Sequence, residues 1–499
     1  WSTLRKINYY LQHSSRCPDE RARDRYDGVA YFFRAYFYYN MLTKFGEVPW
    51  YDQPLASDQE DLLKKPRDSR QLIIDNIIKD LDDAARLLPA DHSTWTVNRW
   101  TALALKSRAC LFEGTFRKYH AGDPFNPESL PWEELLQKGA EAAGTLMKDG
   151  GYELYSDGAE PYRDLFATLD ARECEYIWAR RCSEQVTIKN NANGWANTRA
   201  VGFTKRFVNL YLNSDGTRFT DRPGYQTMSY VDECSGRDPR MAQTVYCPGY
   251  IQKGDDRTYP TDLTRCPTGY KYIKYVMDVK YNIWDGSLVP LPIFRLAEVY
   301  LNYAECLAEL GTLTQTDLDI SVNLLRRRAG MPDLDMAEAN AAPDAYLLSA
   351  ETGYPNVTRS AYTGSILEIR RERMIELVLE GLHYNDILRW REGKVYEKSF
   401  LGQYFPGEGK YDLTGDGRPN VALYTDKRPG GLGLTFLKLG TDIILTDGNS
   451  GNMLVHGDEA LRRVWNEDRD YLYAIPINER LLTGGVLKQN PGWEDGLPY

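Results

Sequence analysis

Apolar residues in the first 150 positions recur at three- and four-residue intervals, the period of a helix that buries one stripe. Between Tyr26 and Phe45 the stripe runs through Ala30, Phe33, Phe37 and Met41, and Gly46 and Pro49 close the segment. Phe32, Tyr36 and Tyr39 widen that face, which predicts a helix packed on two sides. Ser69 is placed to cap a helix carrying Ile73, Ile77, Leu81, Ala84 and Leu88, ended by Pro89. Asn98 is placed to cap the next, with Trp100, Leu103 and Leu111 on its stripe and a stop at Gly114. Pro131 opens a fourth, in which Gly139, Ala140, Ala143 and Gly144 leave room for a neighbouring backbone.

From about 150 to 290 the pattern breaks into short mixed segments punctuated by Gly, Pro, Asn and Asp, and no helical period is sustained. Helices return at Phe294 to Leu310, striped by Leu296, Tyr300, Tyr303 and Leu307 and ended by Gly311. Leu318, Val322, Leu325 and Ala329 predict its partner. Ser365 and Glu368 have capping-box spacing and predict the start of a helix running through Ile369 and Leu377 to Gly381. Helix pairs on short loops, interrupted by a long irregular insertion, point to a mainly α, tetratricopeptide-like scaffold, although the repeat signature itself is absent.

Composition narrows the function. The net charge is −10, from 71 acidic and 61 basic residues, so no general attraction draws the 499-residue chain to nucleic acid or anionic lipid. Tyr (36) and Trp (11) are abundant in a chain of mean hydropathy −0.54, which places some rings at the surface. A flat apolar face with a hydrogen-bonding edge suits a sugar ring, whose C–H face is apolar and whose rim is hydroxyl. The eight cysteines form no CxxC pair and no zinc-like cluster, so neither a structural metal nor a cofactor is expected. Cys110 and Cys306 read as buried thiols, whereas Cys174/Cys182 and Cys234/Cys247/Cys266 lie where a disulfide could form, slightly favouring an exported protein. No apolar run is long enough to span a membrane. The sequence opens on Trp1 without Met, so a signal peptide or lipid-bearing cysteine would lie upstream.

The chain carries no Walker A loop, GxSxG elbow, HExxH or dinucleotide fingerprint, and no catalytic residue is assigned. His13, His92, His120, His383 and His456 are scattered and read as surface or core residues. Glu376 and Glu380 stand one helical turn apart and mimic a glycosidase pair, but Arg370, Arg371 and Arg373 beside them predict an ion-pair network. Asp412, Thr414, Asp416 and Gly417 match the front of a calcium loop; Leu423 stands where its closing acid is needed, so a metal-free tight turn is expected. Asn193-Gly-Trp195-Ala-Asn197 reads as a flexible polar loop offering an indole face. Trp195, Trp284, Trp95 and Tyr51 belong to no helical stripe and are the expected ligand platforms, with Asn193 and Asn197 adding hydrogen bonds.

Several segments resemble a known family. Arg34-Ala-Tyr-Phe-Tyr-Tyr-Asn40 running into Phe45-Gly-Glu-Val-Pro49 resembles the opening helix and turn of SusD/RagB proteins. Phe294 to Glu305, Arg326 to Gly330, and Arg370 to Arg373 through Glu376, Glu380-Gly381, Asp386 and Arg389-Trp390 resemble its later helices. Tyr471 to Pro476 and Gln489 to Gly492 resemble its C-terminal motifs, and Arg237 to Arg240 and Tyr211 to Gly216 look like family scaffold. His383 and Trp493 depart from the family's commoner Arg and Tyr. The resemblance implies one SusD-like domain over 1–499: an N-terminal helical half (1–150), an irregular ligand-side insertion (151–290), and a C-terminal helical half with a loop-rich lobe (291–499). It also implies a non-enzymatic, lipid-anchored protein of the outer-membrane surface. Such a protein binds an oligosaccharide and delivers it to a TonB-dependent, SusC-like transporter. Peptide capture of the RagB type is the alternative, and a glycoside hydrolase a weaker one.

Overall fold

A computed structural model describes residues 1–185, 187–198, 201–455 and 463–497; His456 lies outside the described residues. The N-terminal half is built of α1 (Ser2–His13), α2 (Glu20–Phe45), α3 (Arg70–Leu87), α4 (Arg99–Tyr119) and α5 (Glu133–Asp149). The irregular stretch contains β1 (Tyr176–Arg180) and the short helix α6 (Ala192–Thr198). β2 (Leu291–Arg295) leads directly into α7 (Leu296–Leu310), and α8 (Thr363–Glu376) follows two short helices, Gln315–Asp319 and Val322–Arg328. In space α2 packs on α3, α3 on α4, α4 on α5, α5 on α7, and α7 on α8. This row of helix pairs is the mainly α, tetratricopeptide-like scaffold, with the insertion and a small β-rich lobe attached. In the lobe Leu401–Phe405 pairs with Gly451–Leu454, and Gly409–Tyr411, Val421–Tyr424 and Thr435–Lys438 form a second sheet.

Local chemistry explains the helices. Asp19 and Ser69 accept N–H groups at the starts of α2 and α3, and Asn98 forms a full capping box with Thr101 on α4. Ile73, Ile77, Leu81 and Ala84 are fully buried; each large side chain among them stabilises the fold by about 1.5–3 kcal/mol relative to exposure.

Four sequence readings are corrected. Gly114 does not end α4: the helix runs on to Tyr119, and an added Cβ would sit 2.7 Å from Leu136 Cδ2, so the glycine serves close packing of α4 on α5. On α2 the deepest residues are Phe32, Ala35, Tyr38, Tyr39 and Leu42, while Phe33, Phe37 and Met41 are half-buried. Phe294 and Arg295 belong to β2, because β1 supplies an antiparallel partner from far back in the chain. Ser365 lies inside α8, where its N–H donates to Asn340 Oδ1, rather than capping it.

The segments read as family scaffold do act as scaffold. The Arg237 guanidinium donates to the carbonyls of Val208, Tyr211, Leu212 and Glu233 and so folds that stretch around one side chain. All eight cysteines are free thiols, including the pairs expected to be able to bridge, and Cys234 and Cys247 share a thiol hydrogen bond.

Candidate functional site

The irregular insertion is fixed to the helices by buried charges. Glu376, at the end of α8, meets Arg295 Nη1 at 2.9 Å, Arg240 Nη1 at 3.2 Å, and Arg328. Arg295 also reaches Glu175 at 2.9 Å and Glu380 at 2.7 Å. Burial pushes the Glu376 carboxyl up, but Arg328, Arg295 and Arg240 outweigh it and hold the group well below the usual carboxylate range. Lys274 is also buried; its Nζ donates to Glu380 at 2.8 Å, Val378 O at 2.8 Å and Tyr162 Oη at 2.9 Å. Burial lowers its pKa to about 8, against the pull of Glu380. Glu376 and Glu380 are therefore committed to internal pairs, which leaves them no route to a substrate.

On this base the insertion forms an open cavity of about 790 Å³. Trp95 lines it from the α3–α4 loop, Asp170 and Glu173 from the segment before β1, Arg181 from just after it, and Lys280, Tyr281 and Ile283 from the loop before β2. Trp95 is half-buried, packs on the Tyr162–Phe166–Tyr176 cluster, and carries the Arg181 guanidinium 5.6 Å from its ring centre. Its loop is tied to β1: Thr94 Oγ1 donates to Tyr176 O at 3.1 Å, and Ala179 N to Thr94 O at 2.9 Å.

Trp284 follows Ile283 on the same loop and is 55% exposed; Trp195 is 48% exposed. The segment expected to be a flexible loop is instead α6, and amide side chains staple it to the Trp284 loop. Asn191 and Asp285 exchange bonds (Nδ2 to Oδ1 2.7 Å; Asp285 N to Asn191 Oδ1 2.5 Å), and Asn190 and Ser287 exchange backbone bonds. Asn193 is fully buried: its Oδ1 accepts Met277 N at 3.0 Å and its Nδ2 donates to Asn282 Oδ1 at 3.2 Å. Asn197 donates to Asn193 O at 3.0 Å and accepts Lys271 Nζ at 2.7 Å. Both asparagines thus hold the loops that carry the indoles, with their own polar atoms engaged internally.

Tyr51 is elsewhere. With Trp1, 5.8 Å away ring to ring, it lines a second cavity of about 550 Å³ whose walls include Phe37, Met41, Leu55 and Pro476. Its phenol donates to Leu62 O at 2.8 Å. Arg5, Asn8, Gln53, Lys65 and Arg67 also line this trough, but its surface is mostly apolar, whereas the Trp95 cavity interleaves rings with charged, amide and hydroxyl groups and is mostly polar.

Of the four aromatic candidates Trp95 lines the cavity itself, Trp284 follows the lining residue Ile283, and the amide staples hold the helix of Trp195 to that same loop. Sequence reasoning missed Tyr281, Arg181 and the stapling pair Asn282 and Gln252, whose amides bond each other at 3.0 and 3.1 Å. Their signal was weak because each is one polar residue in unpatterned sequence. Of the histidines, His120 is buried between Asp123 (2.5 Å) and Leu388 O (2.9 Å), and His92 stacks on Tyr152. The Asp412 carboxylate accepts the N–H groups of Thr414, Gly415 and Gly417, which is a closed tight turn. Among the described residues no group of three or more His, Cys, Asp or Glu is arranged to hold a metal, and no helix is long and apolar enough to cross a membrane.

Family comparisons decide the lineage. The model of the SusD family matches residues 174–493, and that of the family described as starch-binding associating with outer membrane matches residues 3–111. The chain belongs to the SusD family. A SusD-like protein, P38, of Formosa agariphila is 28% identical over 390 residues, covering 73% of this chain and 66% of that relative, just under two thirds of its length. A solved SusD-like protein of Bacteroides fragilis superposes with a TM-score of 0.68 at 22% identity, covering 98% of this chain and 84% of the other. A SusD-like carbohydrate-binding protein of the same organism gives 0.66 at 21%, covering 96% and 83%. Those two likenesses establish the shared SusD fold.

Proposed function

We propose that this SusD-family protein captures an oligosaccharide in the Trp95 cavity and delivers it to a TonB-dependent, SusC-like transporter, without chemical conversion. The observation that carries the reading is the open cavity of about 790 Å³, in which Trp95 and Tyr281 are interleaved with polar groups and beside which Trp284 stands half-exposed. That pattern meets both sides of a sugar, the apolar ring face and the hydroxyl rim. The SusD-like carbohydrate-binding relative supports the ligand class, and the starch-binding, outer-membrane family description supports a place at the outer membrane. A lipid anchor upstream of Trp1 would hold it there. Trp284, Trp95 and Trp195 are the proposed contacts; Asn193 and Asn197 hold them in place.

Calorimetric titration with glycans selected on an array tests the site. Stacking on an aromatic ring contributes about 1–3 kcal/mol per base in nucleic-acid complexes; on that scale Trp284→Ala weakens glycan binding roughly tenfold or more, at unchanged melting temperature. Parent-like affinity in both Trp284→Ala and Trp95→Ala refutes this site. Binding of peptides and of no glycan would give the function to peptide capture, and release of reducing ends from a bound glycan would make the protein an enzyme.

A further inference from the structure

The charges around the cavity name the class of glycan, on the reading that a glycan is what binds there. Six charged side chains line it: Arg181, Lys189 and Lys280 against Asp170, Glu173 and Glu184. A sphere of the cavity's volume is about 11 Å across, close to the Debye length of roughly 8 Å at physiological salt. A ligand inside therefore feels all six charges together, and their sum is zero. Each positive group also has a close neighbour. Lys189 faces Glu184 at 3.9 Å, the Arg181 guanidinium lies over the Trp95 ring, and Lys280 Nζ lies 5.0 Å from the Tyr281 ring centre. Asp170 and Glu173 are exposed and have no cation within ion-pairing distance among the described residues. A uronate or sulfate placed there meets the carboxylates of Asp170 and Glu173 along with the cations of Arg181 and Lys280, a set with no net attraction and no converging arginines.

We propose that the cavity selects uncharged glycans and rejects uronic-acid and sulfated chains, with Asp170 and Glu173 as the rejecting groups. Neutral sugars interact with both signs of charge through hydroxyl dipoles, so a balanced lining costs them nothing, while it removes the electrostatic gain that an anionic chain needs to offset its desolvation.

The test titrates the purified protein with neutral polysaccharides (starch, a β-glucan, a mannan) and anionic ones (polygalacturonate, alginate, a sulfated galactan) at 50 and 500 mM NaCl. The expected result is binding within the neutral set only, with an affinity that changes less than about twofold between the two salts. The exposed double variant Asp170→Asn/Glu173→Gln is expected to gain anionic binding that the higher salt removes. Anionic binding by the parent protein, weakened by salt, overturns the inference and leaves the glycan reading standing. Failure of the double variant to gain anionic binding overturns the role given to the two acids. Binding of no glycan in either set overturns the glycan reading itself, and this inference with it.

Discussion

Glu392 is a buried acid with too few partners, and replacing it by glutamine should stabilise the protein in a pH-dependent way. The residue is 6% exposed; its Oε1 accepts Asn356 N–H at 2.7 Å, and Arg370 Nη1 stands off at 4.0 Å. Burial pushes its pKa up to about 7, opposed by Arg370 and the Asn356 N–H and reinforced by Glu467. In the unfolded chain the group titrates at its ordinary value of 4.5. Below that pH both states hold the proton and nothing is lost. As pH rises from 4.5 to 7 the unfolded state releases its proton first, so stability falls, and the fall is complete above pH 7. The difference of roughly 2.5 pKa units corresponds to about 3 kcal/mol at 1.36 kcal/mol per unit. Glutamine cannot ionise and keeps the oxygen that accepts Asn356 N–H. Urea unfolding at pH 4.5 and pH 8 on both proteins should show near-equal stability at the lower pH and an advantage of about 3 kcal/mol for Glu392→Gln at the higher. Glu467, also pushed up by burial, titrates in both proteins. It subtracts out except for its repulsion of Glu392, which adds to the difference. An equal or negative effect at pH 8 would mean that Arg370 already stabilises the ionised group, and the argument would fail.

Two further substitutions probe the scaffold. Glu376→Gln leaves Arg295, Arg328 and Arg240 facing a neutral amide in a buried site and should cost about 3–5 kcal/mol in urea unfolding; a loss below 1 kcal/mol would mean that the arginines re-pair with Glu175, Glu372 and Glu380. Gly114→Ala should destabilise by about 1–3 kcal/mol, because its Cβ would overlap Leu136, whereas at an open helical position the same change would stabilise by up to about 1 kcal/mol. A gain in melting temperature would contradict the packing role.

The helices were legible because their signals are local. A stripe such as Ile73, Ile77, Leu81 and a cap such as Ser69 or Asn98 lie within one or two turns of each other and need no knowledge of the partner. The misreadings have one cause. Gly114 signals a stop in sequence and a close approach in space, and only the neighbouring Leu136 distinguishes the two. Phe294 and Arg295 continue the helical stripe of α7, but a strand partner at Tyr176 and Trp178 claims them instead. The site was half legible for the same reason. Trp195 and Trp284 stood out because no stripe claimed them, and both are about half exposed. Asn193 stood out on composition alone, and Met277 and Asn282, distant in the chain, turn it inward. Tyr51 was separated from the tryptophans by the fold, which sends it to an apolar trough beside Trp1.

The motifs that carry the family resemblance and the groups that line the cavity use charge in opposite ways. Arg295 pairs with Glu376, Arg326 with Glu372, Arg371 with Asp344, Arg373 with Asp386, and Arg389 with Glu305, all buried. A buried charge left without its partner is costly, so each such pair penalises every arrangement in which its two segments fail to meet. Glu175, Arg240 and Lys274 extend that requirement into the insertion, which has little regular secondary structure to order it otherwise. The cavity charges at Asp170, Glu173, Arg181, Glu184, Lys189 and Lys280 are exposed, and changing them costs the fold little. Sequence motifs therefore report the charges that the fold requires and are silent on those that line the cavity. Family membership could be read from Arg295 or Glu376, whereas the charges of the proposed glycan cavity lie on side chains that no motif contains.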